Sequence, residues 1–422
     1  MQGITGFTIT TQQAGRFMGF FDLFKSKPST HKFAQIVIKY ARNQGIAQTM
    51  HFDEAEFRLV VGENGSHILN LHNAYRDYCA ATKSQRDHVL LKYTAGLQVN
   101  GIPDDFASAS KHLMPSLKPC GQGEYLRLTS LMQDKPMSYQ QAALPFGDDA
   151  MLMLAYDTEH SMALVNQSNY ESWNISLEDA LKVALDNLRD RTEDKFVNLG
   201  EGVVAGVWED AYDSSRILLP DLIYRAGCGS DPVLMVPTRG RLLLCNANSS
   251  TSQLAMLEHA QSCMEQEGRV VSAGMYKLRD GKAVSYLPEN ADVLDRLKNL
   301  QTAQRAEDYG SQKELLEALH DKTGEDIFVA SYTVLKNNDT DKLTSLSTWT
   351  QGVVSLLPKT DLVAMVIPGS QEGEYTSKIL SWDDLCSTAG ELMQKKEGYP
   401  ERYLVSEFPA QDKLDAATES TL

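Results

Sequence analysis

None of the six cysteines, at positions 79, 120, 228, 245, 263 and 386, has a partner at C-x-x-C spacing, and none stands beside a histidine at zinc-ligand spacing. That argues against a metal ribbon or a redox pair. It leaves reduced, mostly buried small side chains, which suit a cytoplasmic chain. No apolar run approaches the ~20 residues that a membrane span needs, so stable membrane insertion is not expected. Positive charge is scarce: 40 Lys and Arg stand against 56 Asp and Glu, for a net charge of −16 and a pI near 5.0. A negative field opposes both phosphate backbones and acidic lipids, so nucleic acid is not an expected partner.

Recognisable catalytic spacings are absent too. There is no G-x-G-x-x-G, no P-loop glycine–lysine pattern, no H-E-x-x-H and no G-x-S-x-G. The segment GCGSDP (227–232) reads as a tight turn between helix and strand. His67 and His72 lie five apart, not the four of a helical metal pair. The adjacent acids Asp148-Asp149 and Asp383-Asp384 would point apart on a strand, or diverge by about 100° on a helix. They read as caps or solvated turns, not as catalytic dyads. No metal and no cofactor is expected.

What is present is an ordinary globular composition, 42% apolar and 23% charged, over 422 residues, enough for two or three folding units. The first 17 residues are polar and carry no secretory pattern. MGFFDLFKSK reads as a natural beginning, with Met18 as the start. Phe20, Phe21, Leu23 and Phe24 form a short apolar patch there; the segment 1–30 is expected to be a floppy start or a short helix docking on the body, with docking on a partner or a membrane surface as the alternative.

Periodicity places a helix over 31–44, with Phe33, Ile36, Val37 and Tyr40 on one face and Gly45 at its end. Loose alternation over 47–61, the turn Glu63-Asn64-Gly65 and the apolar run at Ile68, Leu69 and Leu71 predict strands and a hairpin. Asn70 or Asn73 should open a helix. Residues 101–123, rich in Pro, Gly, Ser and Asp, read as a loop or a boundary. EYLRLTSL (124–131) and the runs over 150–166 read as strands. Ser176-Leu-Glu-Asp179 is a capping signature before an apolar-faced helix. A strand at 203–208, an amphipathic helix at 251–267 and a hairpin over 270–287 follow. Residues 288–310 read as a linker helix between a region 31–287 and a smaller α+β region 311–408. In the latter, a helix carries Leu315, Leu316 and Leu319. Ser381-Trp-Asp-Asp384 caps a further helix, and 409–422 is expected to be a disordered tail. The two Ser-capped helices, each after strands and a polar loop, point to duplicated strand–helix units. The fold class expected is α+β, with helices packed on mixed or antiparallel sheets.

Three segments in order carry a resemblance: HILNLHNAYRDY, ALVNQSNYESWNISLEDALKVALDNLRDR, and AYDSSRILLPDLI followed by DPVLMVPTRGRLLLC. With them, residues 31–287 resemble the YtpQ-like family, a bacterial domain of unknown function. The resemblance implies an intracellular bacterial α+β protein and brings no activity, cofactor or catalytic residue.

The densest cluster of candidate site residues lies in that third segment. Asp213 is placed to cap a helix, with Arg216 in the first turn paired with it or with a carboxylate elsewhere, or serving as a ligand-binding group. Arg239 and Arg241 flank Gly240 after the Val236-Pro237 strand end and read as a solvated turn first and as an anion-binding pair second. With no catalytic constellation visible, the expected function is non-catalytic binding of a protein or peptide partner. The alternative is a hydrolase-like enzyme with its site near Asp213, Arg216 and Arg239.

Overall fold

The structure, a computed structural model, describes residues 27–54, 56–62, 67–94, 97, 102–134, 142–158, 162–371 and 373–420. The apolar patch Phe20, Phe21, Leu23 and Phe24 lies outside them. The chain forms two compact units, Met1–Asn100 with Glu159–Ser161, and Gly101–Thr158 with Met162–Leu422.

In the first unit, helix α1 (Thr30–Asn43) starts where the Ser29 hydroxyl accepts the Lys32 N–H, and it ends beside Gly45, whose φ of +85° suits the left-handed exit. Strands β1 (Met50–Asp53), β2 (Arg58–Val61) and β3 (His67–Asn70) form an antiparallel sheet. Helices α2 (Leu71–Ala80) and α3 (Arg86–Thr94) follow. Phe33, Val37, Leu59, Val61 and Leu71 are fully buried in one core. Leu71 opens α2 instead of extending the strand.

The second unit begins with α4 (Phe106–Ser110), β4 (Leu113–Pro119) and α5 (Cys120–Met132). Strands β5 (Leu144–Phe146), β6 (Ala150–Asp157) and β7 (Met162–Leu164) join β4 in a sheet centred on β6. After α6 (Gln167–Trp173) and α7 (Leu177–Asp190) come β8 (Phe196–Gly200), β9 (Val203–Gly206), a 3₁₀ turn over Ser214–Leu218, and α8 (Pro220–Arg225). Then follow β10 (Pro232–Met235), β11 (Leu243–Asn246), α9 (Ser250–Glu267), β12 (Met275–Arg279) and β13 (Lys282–Ser285). These make a six-stranded antiparallel sheet of order β13-β12-β10-β11-β9-β8. Helix α10 (Ala291–Thr323) leads to β14 (Phe328–Val329), β15 (Thr333–Lys336), β16 (Leu343–Thr350), β17 (Ser355–Pro358), β18 (Leu362–Pro368) and β19 (Tyr375–Ser381). Helix α11 (Trp382–Ala389), β20 (Met393–Lys396), β21 (Arg402–Val405) and α12 (Gln411–Ala416) complete the chain. The last strands form two four-stranded sheets, β14-β17-β21-β20 and β15-β16-β18-β19, each with one parallel pair. The fold is α+β with mostly antiparallel sheets.

Several expectations are corrected. The linker helix and the helix at Leu315 are one helix of 33 residues, α10, inside the second unit. It packs on α5 and α9 and on β14, β15 and β16, so the compact units divide near residue 100 and not at 288–310. Residues 124–131 are helical, within α5. The tail is ordered over its described part. Leu414 of α12 is 3% exposed in the C-terminal core, and the Ser420 N–H bonds the Ile379 carbonyl. Both predicted caps are present: Ser176 accepts the Asp179 N–H and Ser381 the Asp384 N–H. The sheets beneath those helices differ, however. α7 packs on an antiparallel sheet, and α11 packs on a sheet with a central parallel pair. Among the described residues no helix is long and apolar enough to cross a membrane.

Candidate functional site

Of the residues singled out, Asp213 and Arg216 lie in one knot of contacts. Asp213 is fully buried, but its side chain does not cap the 3₁₀ turn that follows. It folds back, and Oδ1 accepts the N–H groups of Trp208 (2.9 Å) and Glu209 (3.1 Å). Its other oxygen has no partner among the described residues. Burial holds its pKa above the usual carboxylate range, against the two amides that pull it down. Arg216 is fully buried and pairs with Asp210, not Asp213. Two nitrogens reach the two Asp210 oxygens at 2.8 and 2.6 Å, and Nε donates to the Thr192 hydroxyl. Its guanidinium carbon lies 4.4 Å from the Trp208 ring centre. Every nitrogen of Arg216 is occupied, so none is left for a ligand.

The two arginines after Pro237 diverge. Arg241 pairs with Glu267 at 2.6 Å. Arg239 donates from Nε to the Ala211 carbonyl and aims elsewhere in the unit.

A different part of the second unit encloses space. A cavity of about 970 Å³ is lined from the β5–β6 turn (Asp148, Asp149), β12, β13, one face of α10 (Gln301, Gln304, Arg305, Tyr309) and the loops around 332, 345, 359–361, 381–383 and 395–401. Its volume lies at the upper end of the range of ~300–1,000 Å³ usual for small-molecule sites. Its walls carry the rings of Tyr276, Tyr286, Tyr309, Tyr332, Trp382 and Tyr399. Several polar groups are already committed. Lys359 and Lys395 both pair with Glu401, and Asp361 accepts the Ser345 N–H and hydroxyl.

Asp149 is a carboxyl of this cavity held in unusual surroundings. The glycine two residues before it, Gly147, makes its turn possible: its φ is +61°, and a Cβ there would lie 2.7 Å from the Tyr276 ring. Oδ1 of Asp149 accepts the Ser272 hydroxyl at 2.6 Å, and Oδ2 accepts the Ala273 N–H at 2.7 Å. The Tyr276 hydroxyl lies 2.6 Å from the Ser272 hydroxyl and 3.4 Å from Oδ1. Burial pushes the Asp149 pKa up, with Asp148 adding to it, while the Ser272 and Ala273 donors oppose the rise. Asp149 is therefore neither a helix cap nor a solvated turn.

Behind it lies a second buried carboxyl, Asp308 of α10, whose pKa is pushed up to about 7 by burial, with Asp149 and Glu307 adding to it. Asp308 fits only because residue 121 is glycine: a Cβ there would stand 2.0 Å from Oδ1. Gln304 donates to the same oxygen at 3.3 Å. Between them the Cys120 thiol is pushed up to about 12 by burial and by both aspartates, so it stays protonated and a poor nucleophile. Among the described residues no three His, Cys, Asp or Glu side chains are grouped to hold a metal ion.

Neither aspartate stands out in the sequence. The one local signal is the Gly147-Asp148-Asp149 turn, and nothing in it marks which acid turns inward. Comparison with family models, with curated proteins and with solved structures finds no match. The resemblance to the YtpQ-like family therefore remains an expectation.

Proposed function

We propose that the second unit binds a small polar molecule in the 970 Å³ cavity, and that Asp149 exchanges a proton with it. The observation that supports this most is a carboxyl at the cavity wall, held toward its neutral form by burial and fixed by three neighbouring groups. A carboxyl held in this way suits general acid–base work. The tyrosine and tryptophan faces, with Gln301, Gln304 and Arg305, favour a ring-bearing ligand with hydroxyl or carbonyl groups. This moves the enzyme-like reading from Asp213, Arg216 and Arg239 to Asp149.

The test is a fragment screen on the full chain, read by ligand-observed NMR. Ser285, exposed on β13 at the cavity lining, is changed to Trp to fill the space. The fragments that bind the native chain should lose at least ten-fold in affinity to Ser285→Trp. Asp149→Asn should change the pH profile of what remains. A screen without hits, or hits indifferent to Ser285→Trp, would sink the reading.

A protein or peptide partner is the second reading, and β8 is the observation that favours it. It is the outer strand of the six-stranded sheet, with Val197 and Leu199 each 40% exposed. Such an edge can accept an added strand. A Val197→Lys, Leu199→Lys double variant should abolish partner capture if that edge is used.

A further inference from the structure

Three cations from distant parts of the chain line one smaller cavity of about 470 Å³ in the second unit: Lys118 at the end of β4, Arg239 after β10, and Arg269 after α9. Among the described residues none of the three has a carboxylate within ion-pair distance. The ion pairs formed by other arginines nearby, Arg216–Asp210 and Arg241–Glu267, show that acids are at hand for cations that need them. Lys118 and Arg239 are half-buried and Arg269 is exposed, and among the described residues the Lys118 ammonium makes no hydrogen bond. Holding like charges close together, two of them partly out of water, costs free energy that a counter-charge from outside would offset.

We propose that this cavity binds a tetrahedral oxyanion, the phosphate or sulfate group of a small molecule. The remaining lining supports this. Gln122 and Tyr125 are neutral donors around the cations, and Gln304 keeps one amide N–H beside the one given to Asp308. Arg239 gives Nε to the Ala211 carbonyl and one terminal nitrogen to the Met162 sulfur, which leaves its other terminal nitrogen, the Arg269 guanidinium and the Lys118 ammonium as charged donors for an oxyanion. A tetrahedral oxyanion occupies only a few times the ~30 Å³ of a liquid water, so a cavity of this size also has room for the organic part of a phosphate ester.

Asp308 is the one acid lining the cavity, and it sets the pH response. Lys118 is brought down to about 8, chiefly by burial and then by Arg239 and Arg269, and Asp308 is raised to about 7. The groups that act on Asp308 from neighbouring elements are Asp149 and Glu307, which raise it, and Arg402 and Gln304, which lower it. As pH rises, Asp308 gains a negative charge and Lys118 loses its positive one. Both changes repel an anion, so binding weakens with rising pH. The two cavities share Gln304, but the three cations line only the smaller one, so the oxyanion reading does not depend on the ligand proposed for the larger.

Calorimetric titration of the full chain with sodium sulfate tests the proposal, because sulfate keeps its charge across the pH range used. Saturable binding should be at least ten-fold weaker at pH 9 than at pH 6. Lys118→Met should weaken it ten-fold or more, and Arg269→Ala, at an exposed position, about five-fold or more. Arg241→Ala and Ser285→Trp should leave it unchanged. Phenyl phosphate is the second arm: tighter binding than sulfate assigns the site to a phosphorylated organic molecule, and equal binding to the free ion, and either supports an oxyanion site. No saturable binding of either probe, binding that strengthens with pH, or equal losses in Arg269→Ala and Arg241→Ala would overturn it. Because Arg269 is exposed, its variant keeps the test valid if Lys118→Met does not fold.

Discussion

Asp213 and Asp149 are both carboxyls whose pKa burial raises, and each accepts a backbone N–H, yet their surroundings differ in kind. Around Asp213 everything is local. Its amide donors lie four and five residues upstream, and the neighbouring ion pair spans only six residues, Asp210 to Arg216. Neither of the two cavities described above is lined by Asp213. Around Asp149 everything is remote: Ser272, Ala273 and Tyr276 lie more than 120 residues away, and the space it borders is lined as far as Glu401. A buried charge with short-range partners holds a loop in place. A buried carboxyl held by remote partners beside open space is free to meet a ligand. The contrast explains why residues conspicuous in a row marked a tightly tied loop, while the carboxyl beside open space carried no local signal.

The largest effect that tests this contrast is expected at Arg216. Arg216→Met removes a fully buried charge that satisfies Asp210, Thr192 and the Trp208 face. It should cost about 3 kcal/mol, near the low end for breaking a buried pair because Asp210 is 36% exposed. Urea unfolding measures this, and a loss under about 1 kcal/mol would show the knot to be dispensable. Ligand binding in either cavity should survive in the folded fraction.

A smaller effect of opposite sign is expected at Asp308. Its folded pKa of about 7 stands above the ordinary 3.8, so the folded chain keeps a proton that the unfolded chain releases. Stability should therefore fall as pH rises from about 4 to about 7, and level off above. The full shift would correspond to about 4 kcal/mol at ~1.4 kcal/mol per pKa unit, an upper bound. Asp308→Asn should stabilise the chain by about 2 kcal/mol at pH 8, have little effect at pH 4, and flatten the slope between them. Thermal melts across that range check it. A destabilised variant at pH 8 would mean that the carboxylate is favourably held.

The smallest effect belongs to Arg241, the residue that the sequence sets beside Arg239. Its pair with Glu267 is partly exposed, with side chains 38% and 28% accessible. Arg241→Ala should cost less than about 1 kcal/mol in the same urea assay. A larger loss would place Arg241 with the structural knot instead of at the surface.

Local elements were legible wherever their signal was short-ranged. The Ser29, Ser176 and Ser381 caps, the exit at Gly45 and helix α9 all stand where the residues put them. Helix α5 was misread as a strand for a physical reason. Its inward positions are Gly121, Gly123, Glu124 and Leu128, while Tyr125, Leu126 and Leu131 face outward. Glycines give α10 close approach and Glu124 is neutralised by Arg127 at 2.6 Å, so the apolar stripe that marks a helix is on the wrong side. Helix α10 hid its length in the same way, since Asp308, Gln312 and His320 are among its buried residues. At the smaller cavity, the sequence set Arg241 beside Arg239, whereas the fold lines that space with Arg239, Lys118 and Arg269.

The sequence alone determined the α+β class, the net acidic charge and the capped helix starts, because each of these depends on composition or on residues within a few positions. Which carboxyls face open space, which cations lack a counter-ion and where α10 ends were decided only by the tertiary structure. Those properties arise from desolvation and from charges brought together across more than a hundred residues, and no local pattern records them.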